Sequence, residues 1–209
     1  MTLRAIAVVG AGRVGLTLGR ALSHGGHPVT MLTRGGQAIS GGLVSTSSWS
    51  DALHASDVVI VAVPWDGHAL TVAALRGPLA GKLVVDCVNP LGFDERGPYR
   101  LPVAEGSAAE QTAALLPDSR VCAAFHHVSA ALLGDPTVER VDLDVLVLGD
   151  DREAVAVVIA LAGRIAGVRG VYAGRLRNAG QVEALTANLI AINRRYKAHS
   201  SIRVTGLPN

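Results

Sequence analysis

The stretch Leu3-Arg4-Ala5-Ile6-Ala7-Val8-Val9-Gly10-Ala11-Gly12-Arg13-Val14-Gly15-Leu16-Thr17-Leu18-Gly19-Arg20-Ala21-Leu22, with Pro28-Val29-Thr30-Met31-Leu32-Thr33-Arg34 after it, decides the fold. An apolar run reads as a buried strand, a glycine turn breaks it, the next residues have helical spacing, and a second apolar run follows. G-x-G-x-x-G at a strand-to-helix junction predicts a dinucleotide cradle, with the pyrophosphate seated on the helix N-terminus. Gly10 makes the tight turn, Gly12 lets the backbone approach the phosphates, and Gly15 lets the helix pack closely on the strand. Six residues alone would be a weak signal; strand before, helix after and a second strand on schedule make it specific. Ala11, Arg13 and Val14 complete the turn.

The end of the second strand bears on which dinucleotide fits. An acid there, about 20 residues after the glycines, would accept hydrogen bonds from the ribose hydroxyls of NAD. Here Thr33-Arg34-Gly35-Gly36 carries no acid. A carboxylate would repel a 2′-phosphate, whereas a guanidinium pairs with it and a hydroxyl adds a donor. NADP is therefore favoured over NAD.

Composition sets the frame. With 209 residues, 49% hydrophobic and only 17% charged, the chain has enough apolar surface for one good core and is not disordered. Aromatics are only 3%, so Ala, Val, Leu and Gly must fill the interior, which suits helices laid closely on a parallel sheet. A net charge of +2 is too small and too scattered for a nucleic-acid footprint. Cys87 and Cys122 both lie in apolar runs and read as buried, reduced thiols. Met1-Thr2-Leu3-Arg4 leads straight into the first strand, so no signal peptide is expected, nor is a membrane-spanning segment. The expected compartment is the cytoplasm.

Further strands are predicted over Asp57–Val63, Lys82–Cys87, Arg120–Phe125, Leu143–Leu148 and around Val171-Tyr172. Helices are predicted from Gly67 to Leu79, from a capping box at Ser107-Ala108-Ala109-Glu110 to Leu116, from Arg152 to Ala166, and from Gln181 to Lys197. The last has an apolar stripe of Val182, Leu185, Leu189 and Ile192. Leu91 to Glu105 is expected to be a loop, and the path of Gly35 to Ser50 is left open. Strand–helix alternation predicts a doubly wound α/β fold of Rossmann type with a parallel sheet. Ligands then lie beyond the carboxyl ends of the strands. That puts Gly10 to Gly15, Val63-Pro64-Trp65 and Asn89-Pro90-Leu91 on one rim.

Little else carries chemistry. His126 and His127 have no companions at metal-ligand spacing, so no metal is expected. One of them, at a strand end, could face a cofactor; a structural histidine fits the spacing equally well. No serine sits in an elbow sequence, which excludes a hydrolase of that design. Asp150-Asp151 reads as a helix cap, and Asp86, Trp65 and Asp66 are open between packing and contact. Hydride transfer between two carbon centres needs stacking and distance control more than a proton shuttle. A nucleotide cradle without an evident acid–base set fits that chemistry.

Several stretches together resemble the NADPH-dependent coenzyme F420 reductases (F420H2:NADP oxidoreductases). They are Val8-Val9-Gly10-Ala11-Gly12, Val59 to Trp65, Val84 to Leu91, Ser107 to Glu110, Ala124-Phe125-His126, Asp144 to Asp151, Leu176 to Ala179 and Val182 to Thr186. The resemblance implies a Rossmann domain over 1–125 and a smaller C-terminal domain over 126–209 that completes a cleft, and it implies a homodimer. It implies direct, reversible hydride transfer between nicotinamide C4 of NADP(H) and C5 of the F420 deazaflavin. Carried over by position, Thr33 and Arg34 match a Ser/Thr-Arg pair at the 2′-phosphate. His126 and Val128 match positions at the reacting rings, and Asn89-Pro90-Leu91 matches the loop on the deazaflavin side. Ala11 departs from the Gly-Thr-Gly common in that turn, and Gly174-Arg175 stands where Gly-Pro is usual. Two other readings share this scaffold: an NADP-dependent reductase of a small carbonyl or imine, and a non-catalytic NADP-sensing module. The first would need a proton donor at the cleft; the second predicts NADPH binding without turnover.

Overall fold

The computed structural model describes residues 4–33, 39 and 43–207. The expectation for Arg34, and part of the path left open after it, lies outside the described residues. Five short strands, with β3 at the edge, begin a single sheet: β1 (Ile6–Val9), β2 (Val29–Leu32), β3 (Val44–Thr46), β4 (Val58–Val61) and β5 (Leu83–Asp86). A separate hairpin follows, β6 (Leu91–Asp94) and β7 (Gly97–Arg100), and then β8 (Arg120–Ala123), β9 (Leu143–Gly149) and β10 (Val168–Gly174) return to the sheet. The eight-stranded order is β10-β9-β8-β5-β4-β1-β2-β3. From β3 through β8 every pairing is parallel, the doubly wound arrangement in which the order reverses beside β1.

Alternate side chains on these strands serve opposite faces. Ile6 and Val8 look toward α1 (Arg13–His24), while Ala7 and Val9 look toward the other layer. That other layer holds α2 (Trp49–His54), α3 (His68–Ala74), α4 (Arg76–Leu79) and α5 (Ala108–Leu115). On the α1 face lie α6 (Ala130–Gly134) and α7 (Arg152–Ala162), and α8 (Ala179–Tyr196) closes the chain's helical part. Both faces are covered, so the central strands can be apolar throughout.

Three expectations change. The Leu91–Glu105 loop contains the β6–β7 hairpin, because Gly97 at φ +117° turns the chain after Asp94 and Tyr99 packs across Gly92. The sheet is not wholly parallel. The chain between β8 and β9 is about as long as the α7 connection that joins β9 to β10 in parallel, but after Phe125 it turns back, packs α6 on the α1 face and returns β9 antiparallel to β8, through Cys122–Gly149 and Ala123–Leu148. Residues after 126 thus supply two of the sheet's eight strands. The helix expected over Gly67–Leu79 is broken at Leu75 into α3 and α4, preceded by a 3-10 turn at Trp65–Gly67.

Caps follow the sequence closely. The Ser107 hydroxyl accepts the Glu110 amide at 3.0 Å, and Asp151 accepts the Ala154 amide at 2.7 Å. Cys87 and Cys122 are buried free thiols. Along α8, Val182 and Leu189 are buried, Leu185 is half-buried, and Ile192 is 41% exposed, so the stripe covers only the helix's first half. The tail is pinned by Asp144 on β9. Its buried carboxylate takes a bidentate pair from Arg169 at 2.9 and 2.7 Å, Arg203 at 2.8 Å and the Val204 amide at 2.7 Å. Arg169 above all, against the cost of burial, holds that carboxyl down to about 2.

Candidate active site

The parallel strands bring their carboxyl ends to one edge, and the expected site residues gather there by loop. After β1, Gly10 sits at φ +109° with its α-carbon against the Ala62 carbonyl, where a β-carbon has no room. Gly15 is similarly pressed onto the Gly10 carbonyl. Gly12 differs: a β-carbon there would meet nothing within 4 Å, so its openness faces outward. Gly12 is also the N-cap of α1, with no side chain satisfying the helix's first amides. Those amides are unsatisfied donors and, with the helix dipole, attract an anion.

A cleft of about 310 Å³ opens in front of them. Gly12, Arg13 and Val14 line it from one side, Val63, Pro64 and Trp65 from the β4 loop, and Val88 and Asn89 from the β5 loop. At the end of β2, Thr33 is held through its backbone by the Thr46 carbonyl at 3.2 Å and the Trp49 indole at 3.2 Å. Its hydroxyl oxygen is buried and has no hydrogen-bond partner among the described residues. A buried unpaired hydroxyl is costly unless something pairs with it.

Pro90 and Leu91 do not join this lining. Pro90 turns toward α8, beside Gly180 and Glu183, and Leu91 begins the hairpin. His126 is tied to the cleft only through Asn89, and Val128 packs against the core on the α1 side of the sheet. Phe125 takes φ +64°, rare for a bulky residue, and this bends the chain after β8 back toward β5. Two donors then hold the His126 carbonyl: Asn89 Nδ2 at 2.8 Å and Thr186 Oγ1 of α8 at 3.1 Å. The Asn89 side-chain oxygen and both ring nitrogens of His126 and of His127 are buried without partners among the described residues.

Burial pushes both histidines down to about 4, so each is neutral at pH 7. Glu183 goes the other way. Burial lifts it to about 7 although it accepts the Ala108 and Ala109 amides at 2.9 and 3.2 Å. These shifts give stability a definite pH profile. As pH falls from the ordinary histidine value of 6.5 toward 4, the unfolded chain takes up protons that the folded histidines refuse, and stability is lost, by roughly 3 kcal/mol for each ring. Glu183 acts oppositely. Between its ordinary 4.5 and about 7 the folded carboxyl keeps its proton while the unfolded one loses it, which costs roughly 3 kcal/mol as pH rises. The combined contribution of these three groups to stability in urea unfolding is therefore expected to rise by roughly 3 kcal/mol from pH 4 to pH 7. Replacing His126 and His127 together by glutamine should reverse the sign of that slope; an unchanged slope would refute the assignment.

Sequence reasoning missed the polar core beneath the cleft. His68, Asp86 and Thr112 are wholly buried. His68 Nε2 meets Asp86 Oδ2 at 2.7 Å, and the Thr112 hydroxyl donates to the same oxygen at 2.5 Å. The only hint was Asp86 itself, an acid closing an otherwise apolar strand; His68 and Thr112 carry no signal, because their meeting depends on how α3 and α5 pack on the sheet. Among the described residues no three His, Cys, Asp or Glu side chains are placed to hold a metal.

Comparison with known proteins now decides the family. Residues 5–90 match the family described as NADP oxidoreductase, coenzyme F420-dependent. An F420-dependent NADP reductase of Methanocaldococcus jannaschii is 39% identical over 160 residues, covering 75% of this chain and 71% of that one. The chain belongs to the F420-dependent NADP reductase family. A second member, from Methanothermobacter thermautotrophicus, is 37% identical over 76% of this chain and 70% of its own. The crystal structure of a candidate F420-dependent NADP reductase from an Arthrobacter species superposes with a TM-score of 0.80 at 26% identity, over 97% of this chain and all of that one. The family places the glycine turn and the cleft in an enzyme that handles two redox coenzymes.

Proposed function

We propose that the protein transfers a hydride directly and reversibly between NADP(H) and coenzyme F420. The observation that carries this reading is the cleft. One wall is a helix N-terminus with open amides, carrying Arg13, the other is a flat, half-buried Trp65, and among the described residues no histidine, aspartate or glutamate lines the space between them. Together with the family, this fits ring-on-ring chemistry better than reduction of a carbonyl or imine, which would want a proton donor there. When bound, NADPH supplies the hydride from nicotinamide C4 and oxidised F420 accepts it at C5, with one proton taken up overall.

The chain's own part is to hold. The open amides at Gly12 to Val14 take the pyrophosphate, and the Thr33 hydroxyl, which has no partner among the described residues, takes the 2′-phosphate with Arg34. The Asn89 side-chain oxygen, buried and without a partner among the described residues, offers an acceptor beside the reacting rings. His126 and Val128, neutral and packed, shape the far side as part of residues 126–209.

Purified protein mixed with NADPH and oxidised F420 should bleach the deazaflavin absorbance band. NADPH binding without bleaching would refute the reading and favour the sensing module. His126→Ala should slow turnover by no more than about tenfold, since a ring neutral down to about pH 4 cannot be the proton donor at pH 7. Complete loss would favour the carbonyl or imine reductase. No helix among the described residues is long and apolar enough to cross a membrane, and the buried reduced thiols accord with work in the cytoplasm. We also propose a homodimer formed through α8 and the hairpin, where Phe93, Tyr99, Ile192 and Tyr196 are exposed. Sedimentation should give twice the 21.5 kDa chain mass; a monomer at micromolar concentration would rule it out.

A further inference from the structure

The buried cluster under the cleft carries more than core packing. Its hydrogen bonds determine its charge. His68 Nε2 faces Asp86 Oδ2 at 2.7 Å, and Nδ1 faces Gln111 Oε1 at 3.0 Å. The Gln111 amide is oriented by its nitrogen, which donates to Glu105 at 3.2 Å, so oxygen is what it turns to His68. Both ring nitrogens therefore face acceptors, and only the imidazolium can donate to both. Burial opposes that charge, but the hydrogen bond and charge of Asp86 outweigh it and raise the His68 pKa; Asp86 is lowered in return, by His68 first and then by Thr112 and the Val88 amide. From α8, Glu183 faces the same cluster across the first turn of α5.

The pair touches both walls of the cleft. Trp65 stacks on the His68 ring with centroids 5.4 Å apart and planes 27° from parallel, a cation–π contact when the ring is charged. On the other side, Asp86 Oδ1 accepts the Val88 amide at 2.9 Å, which sets the turn leading to Asn89. Asn89 in turn holds the His126 carbonyl. One buried ion pair thus ties together the aromatic wall, the polar floor and the turn before His126.

We propose that His68 and Asp86, braced by Thr112 and Gln111, are positioning residues that set the separation of Trp65 from the Val88–Asn89 turn, and through it the approach of the two reacting rings. This rests on the hydride-transfer reading. A hydride crosses only between centres held near contact, so a small widening of the cleft slows transfer more than it weakens binding. The pair is expensive to bury, and apolar residues of similar volume would serve packing as well or better.

The test begins with wild-type protein in single-turnover mixing of NADPH with F420. Absence of transfer there would overturn the function, and the ion pair would still be judged by nitrogen NMR of His68. That spectrum should show both ring nitrogens protonated, titrating at higher pH than a histidine peptide; a neutral ring, or titration at or below the peptide, overturns the proposal even if no variant folds. Given wild-type transfer, Asp86→Asn should slow the single-turnover step by about tenfold or more while NADPH affinity changes less than about threefold. His68→Gln, which keeps a donor toward Asp86 but not the charge or the stack, should fall between, and Thr112→Val should be milder than either. Equal losses of rate and affinity, or an unchanged rate in a folded Asp86→Asn protein, would show that the cluster is structural only.

Discussion

Gly15→Ala is expected to abolish NADP(H) binding, with an affinity loss of about a thousandfold or more. The methyl group would fall on the Gly10 carbonyl oxygen, with the Ala62 methyl only 3.3 Å away. Neither neighbour can give, because Gly10 is itself pressed on the Ala62 carbonyl and that strand is hydrogen-bonded on both sides. The helix must back away from β1, which costs about 1–3 kcal/mol of stability for overpacking and withdraws the amides proposed to hold the pyrophosphate. Gly12→Ala is the control. Its new methyl meets no protein atom within 4 Å, so melting should be unchanged while binding weakens through the ligand alone. Calorimetry and thermal melts on the two variants separate the cases. Undiminished NADPH binding by Gly15→Ala would mean the turn is not the cradle.

Arg34→Ala is expected to raise the Michaelis constant for NADPH by roughly a hundredfold while changing that for NADH by less than about threefold. The reasoning is electrostatic. A charge-assisted bidentate pair to the 2′-phosphate has no counterpart in NADH, whose ribose ends in a hydroxyl. Thr33 beside it is already fixed through its backbone, with its hydroxyl buried and without a partner among the described residues, so Thr33→Val should act in the same direction and more weakly. Ala11 offers no hydroxyl to share the load, which leaves Arg34 more of it. Equal effects on both nucleotides would show that Arg34 does not hold the phosphate.

Much of the fold was legible because its signals are local. Apolar runs of four residues or so, punctuated by Gly, Asp and Pro, located β1, β2, β4, β5, β8 and β9, and Ser107 and Asp151 announced their helices by capping chemistry. The hairpin at Leu91–Arg100 was not legible, since its glycine and proline breaks are those of a loop until Tyr99 is seen to pack on Gly92. The antiparallel turn of β9 was hidden for a related reason: the connection before it is long enough for either direction, and which way the strand runs depends on where the turn at Phe125 and the packing of α6 send the chain, not on the strand's own composition.

The candidate site divides along the same line. The glycine turn, the absence of an acid after β2 and the residues at the ends of β4 and β5 follow from sequence spacing, because a parallel sheet delivers strand ends to one rim whatever the side chains. Folding had to bring His68, Gln111, Thr112 and Glu183, from three helices, to meet Asp86, and had to bend Phe125 so that His126 hangs from Asn89 and Thr186. Their chemistry arises from desolvation and from partners more than 18 positions apart in most cases. Neither can be read from neighbours in the chain. The stretch from Leu3 to Arg34 therefore determined the kind of fold and the kind of ligand by itself, through local geometry and charge. Which residues are charged, which are neutral, and how the two walls of the cleft are held apart were decided only by the packed structure, where burial sets the energy of every polar group.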